Sequence, residues 1–246
     1  MKSDKCTLAC GLLLLLWNWS CPGISGVAQE TLTEQDVAGL KSVVSSAVSR
    51  DGKSVAYGLS VPRDLEKDEN GRAFVELHVV DSEGRSRPFV TGDVNVSGIQ
   101  WTPDGTGISY LAKRGDDEHA AIYVIPVDGG ESRQLVHFDT GISDYVWSED
   151  GQKVAFLAKD KEDPDRESAK EKGFDAEIYE EQTLPTRIFV VDADVETDDD
   201  PVTLETAGSA SEISFSPDGS RIAAAFAPTS LIDDFYMYRR IRVIDA

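Results

Sequence analysis

Cysteine is nearly missing from this chain of 246 residues: Cys6, Cys10 and Cys21 are the only three. Beyond residue 21 there is no thiol, so disulfides, thiolate metal sites and thiol nucleophiles are excluded there. Positive charge is also scarce. The 24 Lys and Arg face 45 Asp and Glu, a formal charge of −21. Nucleic acid and anionic lipid both demand a basic surface, and this composition argues against either partner. The apolar run Leu12–Trp17 falls well short of the roughly 20 residues of a membrane-spanning helix. His78, His119 and His137 show no pairing that points to a metal, and no cofactor motif is found. The Gly-x-Ser-x-Gly pattern that mounts a catalytic serine on a strained turn occurs nowhere.

What is present begins with an export pattern. Lys2 and Lys5 precede the apolar run, and Gly26-Val27-Ala28 offers small residues before Gln29. This predicts a signal peptide over residues 1–28 and an exported, membrane-free mature chain, with lipid attachment at Cys21 as the rival. Residues 29–42 form an N-terminal segment. With 40% hydrophobic residues, the remainder can build a core without disulfides.

That remainder repeats. Val48-Ser49-Arg50-Asp51-Gly52, Trp101-Thr102-Pro103-Asp104-Gly105, Trp147-Ser148-Glu149-Asp150-Gly151 and Phe215-Ser216-Pro217-Asp218-Gly219 align without gaps. An aliphatic residue follows each Asp four places on. Ser or Thr opens a turn, Pro suits its second position, Asp tolerates the next, and Gly takes the φ > 0 site. Further strands follow in each repeat: Phe74–Asp81, Ala121–Asp128, Arg187–Asp192 and Ile241–Asp245, with fourth strands such as Arg87–Val90 and Arg133–Val136. Turn Asp to turn Asp, the spacings are 53, 46 and 68 residues. Four strands at such a period predict an all-β fold, a β-propeller of four-stranded antiparallel blades.

The expected units are about 43–97, 98–141, 142–209 and 210–246, with one short helical insertion. The spacing varies mainly between second and third strands, and unit three spends residues 159–186 there. Insertions at one topological point gather on one face, often the binding face. The last unit reaches only its third strand, so the ring is expected to be incomplete and the sequence the first part of a longer protein. A four-bladed ring closed by the segment near 31–44 is the alternative. An open ring exposes edges, which predicts poor solubility or dimerisation.

These hairpins resemble the propeller repeats of TolB-like proteins and of the prolyl oligopeptidase family, particularly its acylaminoacyl-peptidase and dipeptidyl-peptidase branches. The peptidase likeness rests on Ile122–Leu135, on the charged insertion from Lys161 to Glu181 and on Asp234–Val243. The resemblance implies a propeller that caps an α/β-hydrolase domain and admits short peptides. The catalytic Ser, Asp and His belong to that other domain, so no catalytic residue is assigned and the chain alone is expected to be inactive. By the same resemblance, Glu180 and Glu181, after Tyr179, would bind the free ammonium of a peptide substrate. A helix over Arg166–Glu181 with Phe174, Ile178 and Tyr179 packed inward is one reading of this stretch; a solvated acidic helix is the other.

Other patterns yield less. Asp192–Asp200 is rich in carboxylates, but a calcium loop starting there needs Gly and Glu where Thr197 and Thr203 stand. Gly52-Lys53-Ser54 lacks the first glycine of a phosphate loop, since residue 47 is Ala. Trp101, Trp147 and Phe215 share one place in the repeat and are expected to pack between blades. Arg239, Arg240 and Arg242 form the one basic cluster, expected to pair with Asp233 and Asp234 or with a further domain.

Overall fold

A computed structural model describes residues 31–64, 66–176, 178, 180–193 and 201–246. The proposed signal peptide, Cys21, Tyr179 and most of the acidic run after Asp192 lie outside the described residues. The chain divides into two units, one ending at Val37 and one spanning Ala38–Ala246.

The first unit begins a short helix, α1 (Glu34–Ala38). Thr33 caps it reciprocally. Its N–H and hydroxyl bond one Asp36 carboxylate oxygen at 2.8 and 2.7 Å, and the Asp36 N–H returns to Thr33 Oγ1 at 3.2 Å.

The second unit is four antiparallel meanders in chain order. The first is β1 (Ser42–Val48), β2 (Ser54–Val61), β3 (Phe74–Asp81) and β4 (Ser86–Val90). The second is β5 (Ser97–Trp101), β6 (Gly107–Ala112), β7 (Ala121–Pro126) and β8 (Arg133–Val136). The third is β9 (Ile142–Trp147), β10 (Lys153–Lys159), β11 (Thr186–Asp192) and β12 (Val202–Leu204). The fourth has three strands, β13 (Ser209–Phe215), β14 (Arg221–Ala227) and β15 (Arg240–Asp245). The segment 31–44 holds α1 and the start of β1, and among the described residues β1 pairs with β2 and not with the fourth sheet, where the ring-closing alternative would have put it.

The repeated turns explain the repeat. In each, the glycine has φ near +70° (71, 72, 73 and 68° for Gly52, Gly105, Gly151 and Gly219), where a side chain would be strained. The turn hydroxyl accepts the N–H five residues on, at 2.9 Å for Ser49, Thr102 and Ser148 and 3.0 Å for Ser216. It donates to the turn Asp at 2.5–2.7 Å. The same Asp oxygen accepts the N–H two residues later. Asp is therefore a hydrogen-bond hub, more than a residue that tolerates the turn.

Between successive sheets lie three apolar cores. Ala56, Leu77 and Val79 meet Ile108, Tyr110 and Ile125. Leu111 and Ile122 meet Val154, Phe156 and Phe189. Leu157, Ile188 and Val190 meet Ile222, Ala224 and Phe226. The two middle sheets are covered on both faces, so β6 is buried along its whole length. Burying a side chain such as Phe156, wholly enclosed, contributes about 1.5–3 kcal/mol. Trp101, Trp147 and Phe215 each pack on one of these cores, as expected. A polar node sits between the second and third sheets. The buried Ser109 Oγ lies 2.8 Å from the Tyr145 hydroxyl and 2.9 Å from Trp147 Nε1.

Consecutive turns touch. Arg50 donates to the Pro103 carbonyl at 3.2 Å, and a Cβ on Gly151 would stand 3.4 Å from the Pro103 ring. At the opposite end, each sheet's first strand carries a bulge: at Val43/Ser45, Ser97/Gln100, opposite Leu157/Ala158, and Ser211/Ile213. Glu212 sits at φ +52° and Gly98 at φ +57° to make two of them. Bulges add twist where they fall.

Candidate functional site

The long insertions lie at the bulged end, together with a cavity of about 660 Å³; another of about 560 Å³, lined by Lys153, Asp192 and Ala246, lies toward the turns. The third sheet's long connection, 160–185, contains α2 (Pro164–Glu171), and the fourth sheet's contains α3 (Ile232–Met237). The sequence reading anticipated one helical insertion; α3 is a second. Its first turn holds Asp233 and Asp234, favourable at a helix N-terminus, but no side chain caps it, so the signal was faint.

α2 is bounded by local chemistry. The Asp163 side chain accepts the Asp165 N–H at 2.9 Å, and Pro164 occupies the first turn, where its missing N–H costs nothing. At its end Gly173 (φ +87°) and Phe174 return hydrogen bonds to Lys170 and Ala169. The helix therefore stops well before Glu181. Phe174 and Ile178, expected inside, are 75% and 54% exposed. Arg187 fastens the base of the insertion, with Nε 2.8 Å from Asp160 and Nη1 donating to the carbonyls of Thr206 and Gly208.

A cavity of about 660 Å³ opens between the third and fourth sheets. Leu157, Ala210, Ile232 and Phe235 supply apolar wall. Lys159, Glu162, Arg166 and Lys170 supply its charge. Glu162 stands at the centre, 2.5 Å from Arg166 Nε and 2.7 Å from Lys170 Nζ. The Lys170 hydrogen bond holds its carboxyl below the usual range, so it stays ionised. Three cations against one carboxylate make this a basic hollow in an acidic protein. The spacing of Glu162, Arg166 and Lys170, each four residues apart, is a helical-face signal that the sequence reading passed over.

Glu180 lines a smaller cavity of about 240 Å³ with Gln182, Thr183, Ser230 and Ile232, the last four shared with the larger one. Glu180 adopts φ +64°, and both Glu180 and Glu181 are exposed. The turn around them is held by the Ile178 N–H on the Gln182 side chain and the Glu181 N–H on the Ile178 carbonyl, at 3.0 and 3.2 Å.

The basic residues near the C-terminus do not pair as expected. Arg239 reaches Glu212 at 2.6 Å and lies over the Phe235 ring, and Arg242 donates to the Ala207 carbonyl. His78 pairs with Glu76 at 3.0 Å and stacks on Tyr57. Among the described residues no group of three His, Cys, Asp or Glu is placed to hold a metal ion. No described helix is long and apolar enough to cross a membrane.

No known family profile matches the chain, and no curated protein does. Solved structures do resemble it. TolB from Acinetobacter baumannii aligns with a TM-score of 0.50 at 17% identity, over 81% of this chain and 40% of that one. The acylaminoacyl peptidase of Pyrococcus horikoshii aligns with a TM-score of 0.60 at 15% identity, over 85% of this chain and 32% of that one. A putative TolB from Agrobacterium tumefaciens gives 0.52 at 17% identity, over 81% and 60%. The chain thus spans less than two thirds of each of these proteins. At such identities the likeness concerns the fold, and it agrees with the sheets and turns above: this chain is built as a β-propeller of the kind found in TolB and in acylaminoacyl peptidase.

Proposed function

We propose that this chain is the substrate-admitting propeller part of an exported serine peptidase of the prolyl oligopeptidase family. Hydrolysis would be carried by an α/β-hydrolase domain outside this sequence, and peptides would be the substrates. The observation that carries the reading is the asymmetry of the two ends: touching turns crowd one, while the charged insertion, α3 and the cavity of about 660 Å³ lie at the other. The TM-score of 0.60 with acylaminoacyl peptidase supports it. Export rests on the Lys2-to-Ala28 pattern. Glu180 and Glu181 are assigned to the peptide ammonium, and the place of Glu180 at a cavity rim is compatible with that.

A second reading is an exported TolB-type binding module without chemistry, favoured by the TM-score of 0.52 with a putative TolB. Reading the coding sequence past Ala246 separates them. More blades followed by Gly-x-Ser-x-Gly support the peptidase, and a stop after a few blades supports the module. The present chain, purified, should show no peptide turnover and no labelling by serine-reactive probes; labelling would overturn the assignment of chemistry to another domain.

A further inference from the structure

We propose that the cavity between the third and fourth sheets is an anion site that takes the carboxylate of a peptide whose neighbouring side chain is apolar. The naming of a peptide rests on the function proposed above; the anion site stands on the cavity alone.

The charge balance at the cavity points this way. Its ionic lining is Lys159, Arg166 and Lys170 against Glu162, two positive charges in excess, within a chain of formal charge −21. Glu162 ties α2 together but cannot saturate three cations. Arg166 Nε lies close to it without the alignment of a hydrogen bond, and that atom is buried. Among the described residues, Arg166 Nε is buried without an aligned hydrogen bond and Lys159 has no ionic partner. Unfilled donors on a half-buried guanidinium are costly, and a carboxylate supplies the paired acceptors that guanidinium geometry fits.

Leu157, Ile232 and Phe235 set an apolar wall beside these cations. A bare inorganic anion would leave that wall in contact with water. A carboxylate carrying an aliphatic or aromatic side chain covers both parts. The adjoining small cavity, with Glu180, is of opposite sign and leaves the ammonium end of such a ligand room away from the cations.

The test uses the whole chain and N-acetyl-Leu-Leu as its free acid and as its carboxamide, with binding measured by calorimetry. Acetylation removes any role of an ammonium, so Glu180, Glu181 and the peptidase reading do not enter. The free acid should bind at least tenfold tighter than the amide, and added salt should weaken it. Lys159→Gln and Lys170→Gln should each lower affinity severalfold. Lys159 is exposed, so its variant should melt like the parent. Equal binding of acid and amide, no binding of the acid, or an unaffected Lys159→Gln variant would overturn the anion site. Hexanoate binding as tightly as the peptide acid would retain the site and overturn the peptide as its ligand.

Discussion

Arg50, in the first repeated turn, is ion-paired with Glu149, in the third. The pair skips a whole sheet. Flat sheets stacked face to face at about 10 Å apiece would put those turns farther apart than the two side chains span. The contact exists because the sheets fan, bringing their turns together at one end. Arg50 also bonds the intervening turn through the Pro103 carbonyl, so one guanidinium links three successive repeats.

That pair should contribute little to stability despite its geometric meaning. Both side chains are more than 60% exposed, at 64% and 61%. Solvent screening limits such pairs to about 0–1 kcal/mol. A double-mutant cycle with Arg50→Ala and Glu149→Ala, followed by urea unfolding, should give a coupling in that range that fades in high salt. A coupling of several kcal/mol would show that the turns are held by charge more than by packing.

The turn hydroxyls should matter according to their burial. Ser148 is 1% exposed, and its Oγ satisfies the Lys153 N–H. Ser148→Ala leaves that part-buried donor without its partner and should cost about 1–3 kcal/mol. Ser216→Ala, at a half-buried turn with water at hand, should cost less. Denaturant midpoints of the two variants compare them directly.

Acid should loosen the turns. Hydrogen bonds from Ser216, then from the Ser220 N–H and hydroxyl, bring the Asp218 carboxyl down to about 2, and the hydroxyls of Ser49, Thr102 and Ser148 lower Asp51, Asp104 and Asp150. Unfolding restores these groups to about 3.9, so the unfolded chain binds more protons between the two values. The contribution is fully present above about pH 4 and is lost as pH falls toward about 2. Asp218→Asn keeps an acceptor that does not titrate. It should flatten the acid limb of a stability-against-pH curve and lower stability at neutral pH, because the amide accepts the same hydrogen bonds without the charge that strengthens them.

The outer face of the fourth sheet should make the chain self-associate. Ile241 and Val243 of β15 are 80% and 58% exposed, and Val43 and Val48 of β1 are similarly uncovered. Ile241→Lys with Val243→Lys should leave the melt nearly unchanged, because exposed positions away from partners change stability by about 0.5 kcal/mol or less. The same change should shift gel-filtration elution toward monomer. Elution of the parent chain that is monomeric at every concentration would contradict this.

Much of the fold was legible because its signals are local. An Asp-Gly bend between alternating apolar runs fixes a hairpin within a dozen residues, and β8 falls at Arg133–Val136 as read. The length at 160–185 announced itself as broken spacing. The bulges did not, because Val44 and Glu212 differ in no obvious way from ordinary strand residues. Nor did the partner of Arg239: Glu212 is distant in sequence, while Asp233 and Asp234 are near and were the natural guess. The basic hollow was half legible. The four-residue spacing of Glu162, Arg166 and Lys170 could be read, but its apolar wall comes from Leu157, Ala210 and Phe235, which only folding assembles.

The space between Gly151 and the Pro103 ring, just enough for one added methyl group, carries a lesson for anyone who would graft new segments onto this scaffold. Lengthening any Asp-Gly bend would wedge its neighbour outward and pry adjacent sheets apart. The links after β2, β6, β10 and β14 already differ in length from blade to blade without disturbing the strands they join. Changes in length can therefore accumulate at one end of the sheets, while the bends at the other end tolerate almost none.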